Sequence, residues 1–270
     1  MVKSGHLPNA DRLSVLAATI LLAYASTRFI QLPSRELGIQ LPGFYLAIDV
    51  NIRGIVALLV GGLTASGADL LLHTHPGIKG RRTFEHWLLP GLTAWVIGFP
   101  LYQLPLGPQW LASFILGGAL LMLVLIAEYI AVDPDDLRYT PASAGLMAVS
   151  FALYLILAIA LRSADPRLFL ILPAITLSGG LVSLRALHLR LRGRWLFFPA
   201  VALALIIAQL TAALHYWPIS AIAFGLALLG PTYALTALIG ALAEGIPLRR
   251  AILEPAVVLI VVWGTAFWIS

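Results

Sequence analysis

Polar residues in this chain occur as short interruptions between long apolar runs. A helix that crosses a hydrocarbon core needs about 20 consecutive, mostly apolar residues. Runs of that kind recur nine times, over about 13–32, 46–73, 84–103, 109–132, 142–162, 168–188, 196–214, 219–243 and 254–269. The joints between them carry Pro, Gly or charge, as in PLGPQ (Pro105–Gln109), VDPDDLRYTP (Val132–Pro141) and RSADPR (Arg162–Arg167). No joint is long enough to separate soluble domains, and only residues 1–12 read as a loose, flexible N-terminus. The pattern predicts an all-α, polytopic transmembrane helix bundle of about nine spans, forming one transmembrane domain over residues 1–270.

Composition supports lipid as the solvent. The 270 residues are 60% hydrophobic and 11% charged, with mean hydropathy +0.95, whereas a soluble domain carries roughly 45–50% apolar and about 25% charged residues. The absence of cysteine excludes disulfides, thiolate metal sites and cysteine nucleophiles. The net charge of +5 reads as orientation signal and contact with anionic lipid head groups rather than as a nucleic-acid footprint. Partner membrane subunits or a homo-oligomer are the other partner classes in view.

The first run has two readings. Lys3 and Arg12 precede the apolar stretch Leu13–Leu22, and AYA (Ala23–Ala25) resembles a signal-peptide cleavage site. The basic region is long and contains Asp11, however, and the apolar run continues through Phe29–Leu32, so an uncleaved helix is expected, with Arg28 snorkelling to the outer interface. With the N-terminus inside, twelve of the Lys and Arg residues fall on inner segments and five (Arg28, Arg35, Arg53, Arg162 and Arg167) on outer ones. That bias orients the chain in a bacterial-type plasma membrane with its N-terminus cytoplasmic and its C-terminus outside.

An internal repeat is visible in an ordered series of landmarks. LVGGLTAS (Leu59–Ser66) resembles LSGGLVS (Leu177–Ser183), and a basic turn follows each. WLLP (Trp87–Pro90) then resembles WLFFP (Trp195–Pro199), Trp110 parallels Trp217, and Glu128 parallels Glu244, all at spacings of about 107–118 residues. Four helices is an even number, so the copies share one orientation, as in a parallel repeat about the membrane normal. The halves read as about 46–162 and 168–270, with one helix left over at an end.

Ionisable groups are costly in a membrane, so their positions matter. None falls at mid-depth. Asp69, His73, His75, Glu85, His86, Glu128, Arg185, His188 and Glu244 lie near the inner surface, and Asp49 and Arg53 near the outer one. Spacing of four sets Asp49 over Arg53 as an ion pair on one helix face. Asp69 and His73 likewise share a face, with His75, Glu85 and His86 following. Imidazole and carboxylate together can hold a divalent metal that activates water, but the spacing matches no zinc motif. Interfacial groups that cap helices and meet head groups fit better, and no metal or cofactor is expected. DPDD (Asp133–Asp136) could hold magnesium with a diphosphate, or form a solvated turn. At mid-depth the candidates are small or polar: Ser178, Gly179, Gly180, Gln209, Gly230, Pro231 and Thr232. They would break helices beside a cavity or permit close packing.

Nine helices in a four-plus-four-plus-one order resemble the intramembrane prenyltransferases. The resemblance covers topology alone. The loops after helices 2 and 6, where that family keeps aspartate-rich motifs, read HTHPGIKGRR and HLRLRGR, so its magnesium chemistry is not carried over. No lysine lies inside a helix, which excludes a retinal Schiff base, and there is neither a P-loop nor a GxGxxG. The leading expectation is a transporter for a neutral or lipid-like substrate, with a path between the two repeats. A non-catalytic membrane subunit and a lipid-modifying enzyme with an inner Asp/His/Glu site are the alternatives.

Overall fold

The computed structural model describes residues 8–26, 35–41, 44–50, 52–75, 78, 86–164 and 167–270. Its elements are α1 (Ala10–Ser26), β1 (Arg35–Leu41), β2 (Phe44–Val50), α2 (Ile52–Leu72), α3 (Leu88–Gln103), α4 (Pro108–Ala131), α5 (Tyr139–Ser163), α6 (Leu168–Arg190), α7 (Phe197–His215), α8 (Ala221–Ala243), the single turn α9 (Leu248–Ala251) and α10 (Leu253–Ile269). Among the described residues, six segments are long and apolar enough to cross a membrane: α4 to α8, and Leu248–Ile269 taken as one span. Shorter apolar stretches, Leu59–Leu72 and Leu88–Gly98, lie in α2 and α3. Large apolar side chains such as Leu116, Leu123, Phe198 and Ile260 stand on the outside, where lipid solvates them. The chain is a multi-spanning, membrane-embedded helical protein.

One element departs from the expected pattern. β1 and β2 pair antiparallel, Arg35 with Val50 through Leu41 with Phe44, so α2 begins at Ile52 and not near residue 46. The expected Asp49–Arg53 stacking on one helix face is corrected accordingly: Asp49 lies in β2 and Arg53 in the first turn of α2. A short apolar run such as FYLAI cannot be told from the start of a helix by periodicity. The expected continuation of the first helix through Leu32, and Arg28 with it, lies outside the described residues.

The chain forms two compact units, Met1–Arg138 and Tyr139–Ser270. In unit 1 the helices pack in chain order, α1 on α2, α2 on α3 and α3 on α4, and α1 against α4 closes the ring. Its core joins Leu13, Ile20 and Tyr24 of α1, Leu71 and Leu72 of α2, Ile97 and Leu101 of α3 and Leu121, Leu125 and Tyr129 of α4. Tyr24 donates its hydroxyl proton to the Ala94 carbonyl, a buried link from α1 to α3. The backbones of α2 and α3 nearly touch at Gly61 and Gly91, where a Cβ on Gly91 would lie 3.4 Å from the Gly61 oxygen.

Unit 2 repeats that order of contacts, α5 on α6, α6 on α7 and α7 on α8, with α5 against α8, and adds α10 along α8. α8 is the central helix, and its interior includes Phe224, Thr232 and Thr236. Pro173 and Pro231 lie inside α6 and α8, yet both helices run on unbroken. Pro231 has no N–H for the carbonyl of residue 227, and hydrocarbon offers no water to replace it. The indole of Trp263 on α10 supplies the missing donor, 3.1 Å from the Ala227 oxygen. Gly230 gives that helix room: a Cβ there would meet Trp263 at 3.1 Å.

This pairing predicts a coupled effect. Trp263→Phe should destabilise the protein in detergent by about 1 kcal/mol, the scale of one interhelical hydrogen bond in a membrane protein. In a Pro231→Ala background the restored N–H serves Ala227 instead, and the cost of Trp263→Phe should shrink. Equal costs in both backgrounds, measured as a double-mutant cycle by denaturant or thermal melting, would show that the indole does not replace the lost donor.

Candidate functional site

In unit 1 the polar groups gather where α2 ends, α3 begins and α4 ends. Asp69 lies in the last turn of α2. His73 follows one turn on, with its Nδ1 2.9 Å from the Asp69 carbonyl oxygen and 3.2 Å from Asp69 Oδ1. Trp87, just before α3, donates its indole N–H to the same Oδ1 at 3.0 Å. This group is partly open, and His73 is exposed. The neighbouring residue behaves differently. His86 is buried, and its Nδ1 lies 2.6 Å from Glu128 Oε2, a carboxylate only 1% exposed on α4. An ionised carboxylate in such surroundings is tolerable only if paired and hydrogen-bonded. Beside it, the buried ring of His75 meets Tyr129 edge-on, centroids 4.6 Å apart.

Unit 2 has a comparable end where α6 and α8 finish. Arg190 closes α6 and grips Glu244 with two parallel bonds, Nε to Oε1 at 2.8 Å and Nη2 to Oε2 at 2.9 Å. Its Nη1 donates to the Ala237 carbonyl at 3.1 Å. Gly240 makes room for this side chain, since a Cβ there would lie 2.7 Å from Arg190 Cδ. The turn into α7 reverses through Arg192 (φ 50) and Gly193 (φ 95), with the Gly193 N–H on the His188 carbonyl, a glycine-type helix stop. The His188 ring lies against Trp195, centroids 4.1 Å apart, and Arg185 is 2% exposed. The Arg190 guanidinium holds the Glu244 carboxyl below its ordinary range, first through these hydrogen bonds and further through its charge.

The residues expected near one surface therefore fall into separate groups. Asp69 with His73, and His86 with Glu128, lie at the same end of unit 1, and His75 lies beside Tyr129. His188 and Glu244 belong to unit 2, and Glu85 is outside the described residues. Among the described residues no three His, Asp or Glu side chains are placed to hold a metal ion. In the acidic loop, Asp133 Oδ1 accepts the Asp135 N–H. Asp136 accepts the backbone N–H of Arg138 and its guanidinium, bonds that hold its carboxyl below the usual range. Both carboxylates thus serve the turn.

The mid-depth candidates lie in unit 2. Ser178, Gly179, Gly230, Pro231 and Thr232 are buried, Gly180 is half-buried and Gln209 faces outward. The hydroxyls return to their own helices, Ser178 to the Ala174 carbonyl and Thr232 to that of Leu228. Thr236 donates its hydroxyl across to Ser183 Oγ on α6 at 2.9 Å. The partners Trp87, Tyr129 and Arg190 were not singled out as site residues from the sequence. Trp87 and Tyr129 directly follow residues that were, His86 and Glu128, but adjacency in a chain does not say what a side chain faces.

Kinship comes from a match that spans both units, residues 32–269. The chain belongs to the family described as "Protein of unknown function (DUF5656)". No curated protein and no solved structure matches it. The family assignment covers most of the chain and assigns no chemistry to the polar ends, which rest on their geometry alone.

Glu244 gives a pH test. A carboxyl whose value is lowered on folding stabilises the fold fully above its unfolded value, near 4.5, and loses that contribution as pH falls through the lowered folded value. Melting temperature in detergent should therefore fall on acidification below the ordinary carboxylate range, and Glu244→Gln should flatten part of that slope while leaving its alkaline side unchanged. An identical acid slope in the variant would show that the Arg190 clamp does not contribute.

Proposed function

We propose that this protein is a membrane carrier for a neutral or lipid-like substrate, with His86 and Glu128 as its proton-binding element. The observation that carries this reading is the buried pair itself. A carboxylate and an imidazole 2.6 Å apart, almost closed to solvent, can share a proton, and ionisable groups that face the interior of a membrane bundle include proton relays among their roles. A movement of α3 against α4 would change the exposure of both groups at once, and so would couple proton occupancy to conformation. A neutral substrate needs no fixed charge along its route, which suits the buried hydroxyls of Ser178, Ser183, Thr232 and Thr236 inside unit 2. A non-catalytic membrane subunit is the second reading, supported by the Leu248–Ile269 span, only 11% of which is buried.

The architecture proposed with this function is nine spans, N-terminus cytoplasmic and C-terminus outside, in a bacterial-type plasma membrane. A fourfold helix unit used twice is supported by the matching contact order within α1–α4 and within α5–α8. Each set also ties the carboxylate near the end of its fourth helix to a basic side chain near the turn between its second and third, Glu128 to His86 and Glu244 to Arg190. α9 and α10 then form the extra span.

Purified protein in vesicles loaded with a pH-sensitive dye tests the carrier reading. A panel of neutral solutes and lysolipids should contain at least one that moves protons with it, and Glu128→Gln should abolish this coupled flux without changing the melting temperature by more than a few degrees. Substrate-independent dye traces across the panel, or full coupling in the variant, would count against it. Orientation is tested separately. With no native cysteine to label, a cysteine at Leu106 should react with an impermeant thiol reagent in intact cells, and one at Gly193 should react only after permeabilisation.

A further inference from the structure

The Arg190–Glu244 clamp has a second effect, on the charges around it. It consumes the acidic group nearest to the ends of α6 and α8 and brings the α6–α7 turn beside the α8–α9 turn. Arg192 and Arg194 follow in the first turn, Arg249 and Arg250 in the second, and α9 packs on α8. All four arginines are exposed, and no described residue pairs with their guanidinium groups. The remaining carboxylate of the region, Glu254, accepts from Tyr233. Four cations are thus left at one end of unit 2. Large apolar side chains border them: Phe197 and Phe198 open α7, the latter 91% exposed, and Leu248 and Leu253 flank the second pair.

We propose that this end of unit 2 is a seat for an anionic phospholipid, its phosphodiester held by Arg192, Arg194, Arg249 and Arg250 and its acyl chains laid on Phe197, Phe198 and Leu253. Guanidinium groups suit phosphate because their planar donors reach two oxygens at once. The apolar border decides between occupants. A nucleic acid or a soluble phosphate would leave those side chains uncovered, whereas a lipid covers them with hydrocarbon. The turn geometry fits the role: the reversal at Arg192 and Gly193 leaves both basic side chains of a six-residue turn outside the helix ends. This inference uses the membrane setting but not the His86–Glu128 pair, so it stands or falls apart from the carrier proposal.

Native mass spectrometry of the full chain in detergent tests it, with phosphatidylglycerol and phosphatidylcholine of identical acyl chains as probes. The wild type should retain phosphatidylglycerol at least tenfold better than phosphatidylcholine. An arginine near an anionic lipid surface contributes about fivefold in affinity, so Arg192→Gln with Arg194→Gln, or Arg249→Gln with Arg250→Gln, should each lower retention about 25-fold. Arg167→Gln, at the opposite end of unit 2, should leave it unchanged. The fourfold Arg→Lys variant keeps the charge and should keep most of the preference, which guards against misreading a folding defect. Equal retention of the two lipids by the wild type, or undiminished phosphatidylglycerol in the fourfold Gln variant, would overturn the proposal. So would displacement of the lipid by millimolar inorganic phosphate, because the site would then be one for the free ion.

Discussion

A polar group inside hydrocarbon has no water to fall back on, and many internal features among the described residues answer to that constraint. Backbone amides are satisfied within helices. Hydroxyls that would otherwise be stranded return to the carbonyl one turn back, as at Thr64, Thr93, Ser150, Thr211 and Thr232. Where Pro231 removes a donor, another helix provides one. Where a carboxylate is buried, a ring nitrogen meets it. Specific packing in such a bundle comes less from apolar attraction, which lipid tails satisfy equally well, than from this matching of donors and acceptors together with close approaches such as Gly61 to Gly91.

The two carboxylate ties illustrate how depth changes the value of one arrangement. Glu244 and Arg190 are each about one-third exposed, so solvent screens much of their attraction and the bidentate geometry matters more than the charge. Glu128 and His86 are closed off. Losing the hydrogen bond there costs more than losing it at the exposed tie, because water does not reach the site to replace it. The first tie is suited to holding helix ends together. The second is sensitive to anything that alters the proton between its members.

Much of this was legible in the sequence along the chain axis and little of it around the helices. Apolar run length located α3 to α8 and α10 to within a few residues, because the hydrocarbon thickness sets that length; the short α9 was not expected. The same signal merged β2 with α2, since five apolar residues fit either state and the alternation in FYLAIDV is weak. Position along a helix also placed Asp69, Glu128 and Glu244 at the correct ends. It could not say that Glu128 points inward while Asp69 is partly open, because helices that are apolar on all sides carry no amphipathic stripe to show which side faces a neighbour. The tie from Glu244 to Arg190 and the indole of Trp263 on Ala227 join residues 54 and 36 positions apart, and nothing in local spacing announces such pairs.

The dependence of α8 on α10 also bears on how the protein is made. α8 leaves the ribosome before α10, and throughout that interval the Ala227 carbonyl has neither its own helix's donor nor Trp263. A lone α8 must enter the bilayer with that group facing water at the insertion channel, a lipid head group or a helper protein, and it is relieved only when the following span docks. The proline thereby makes α10 a condition for completing α8, so that the two helices mature in order.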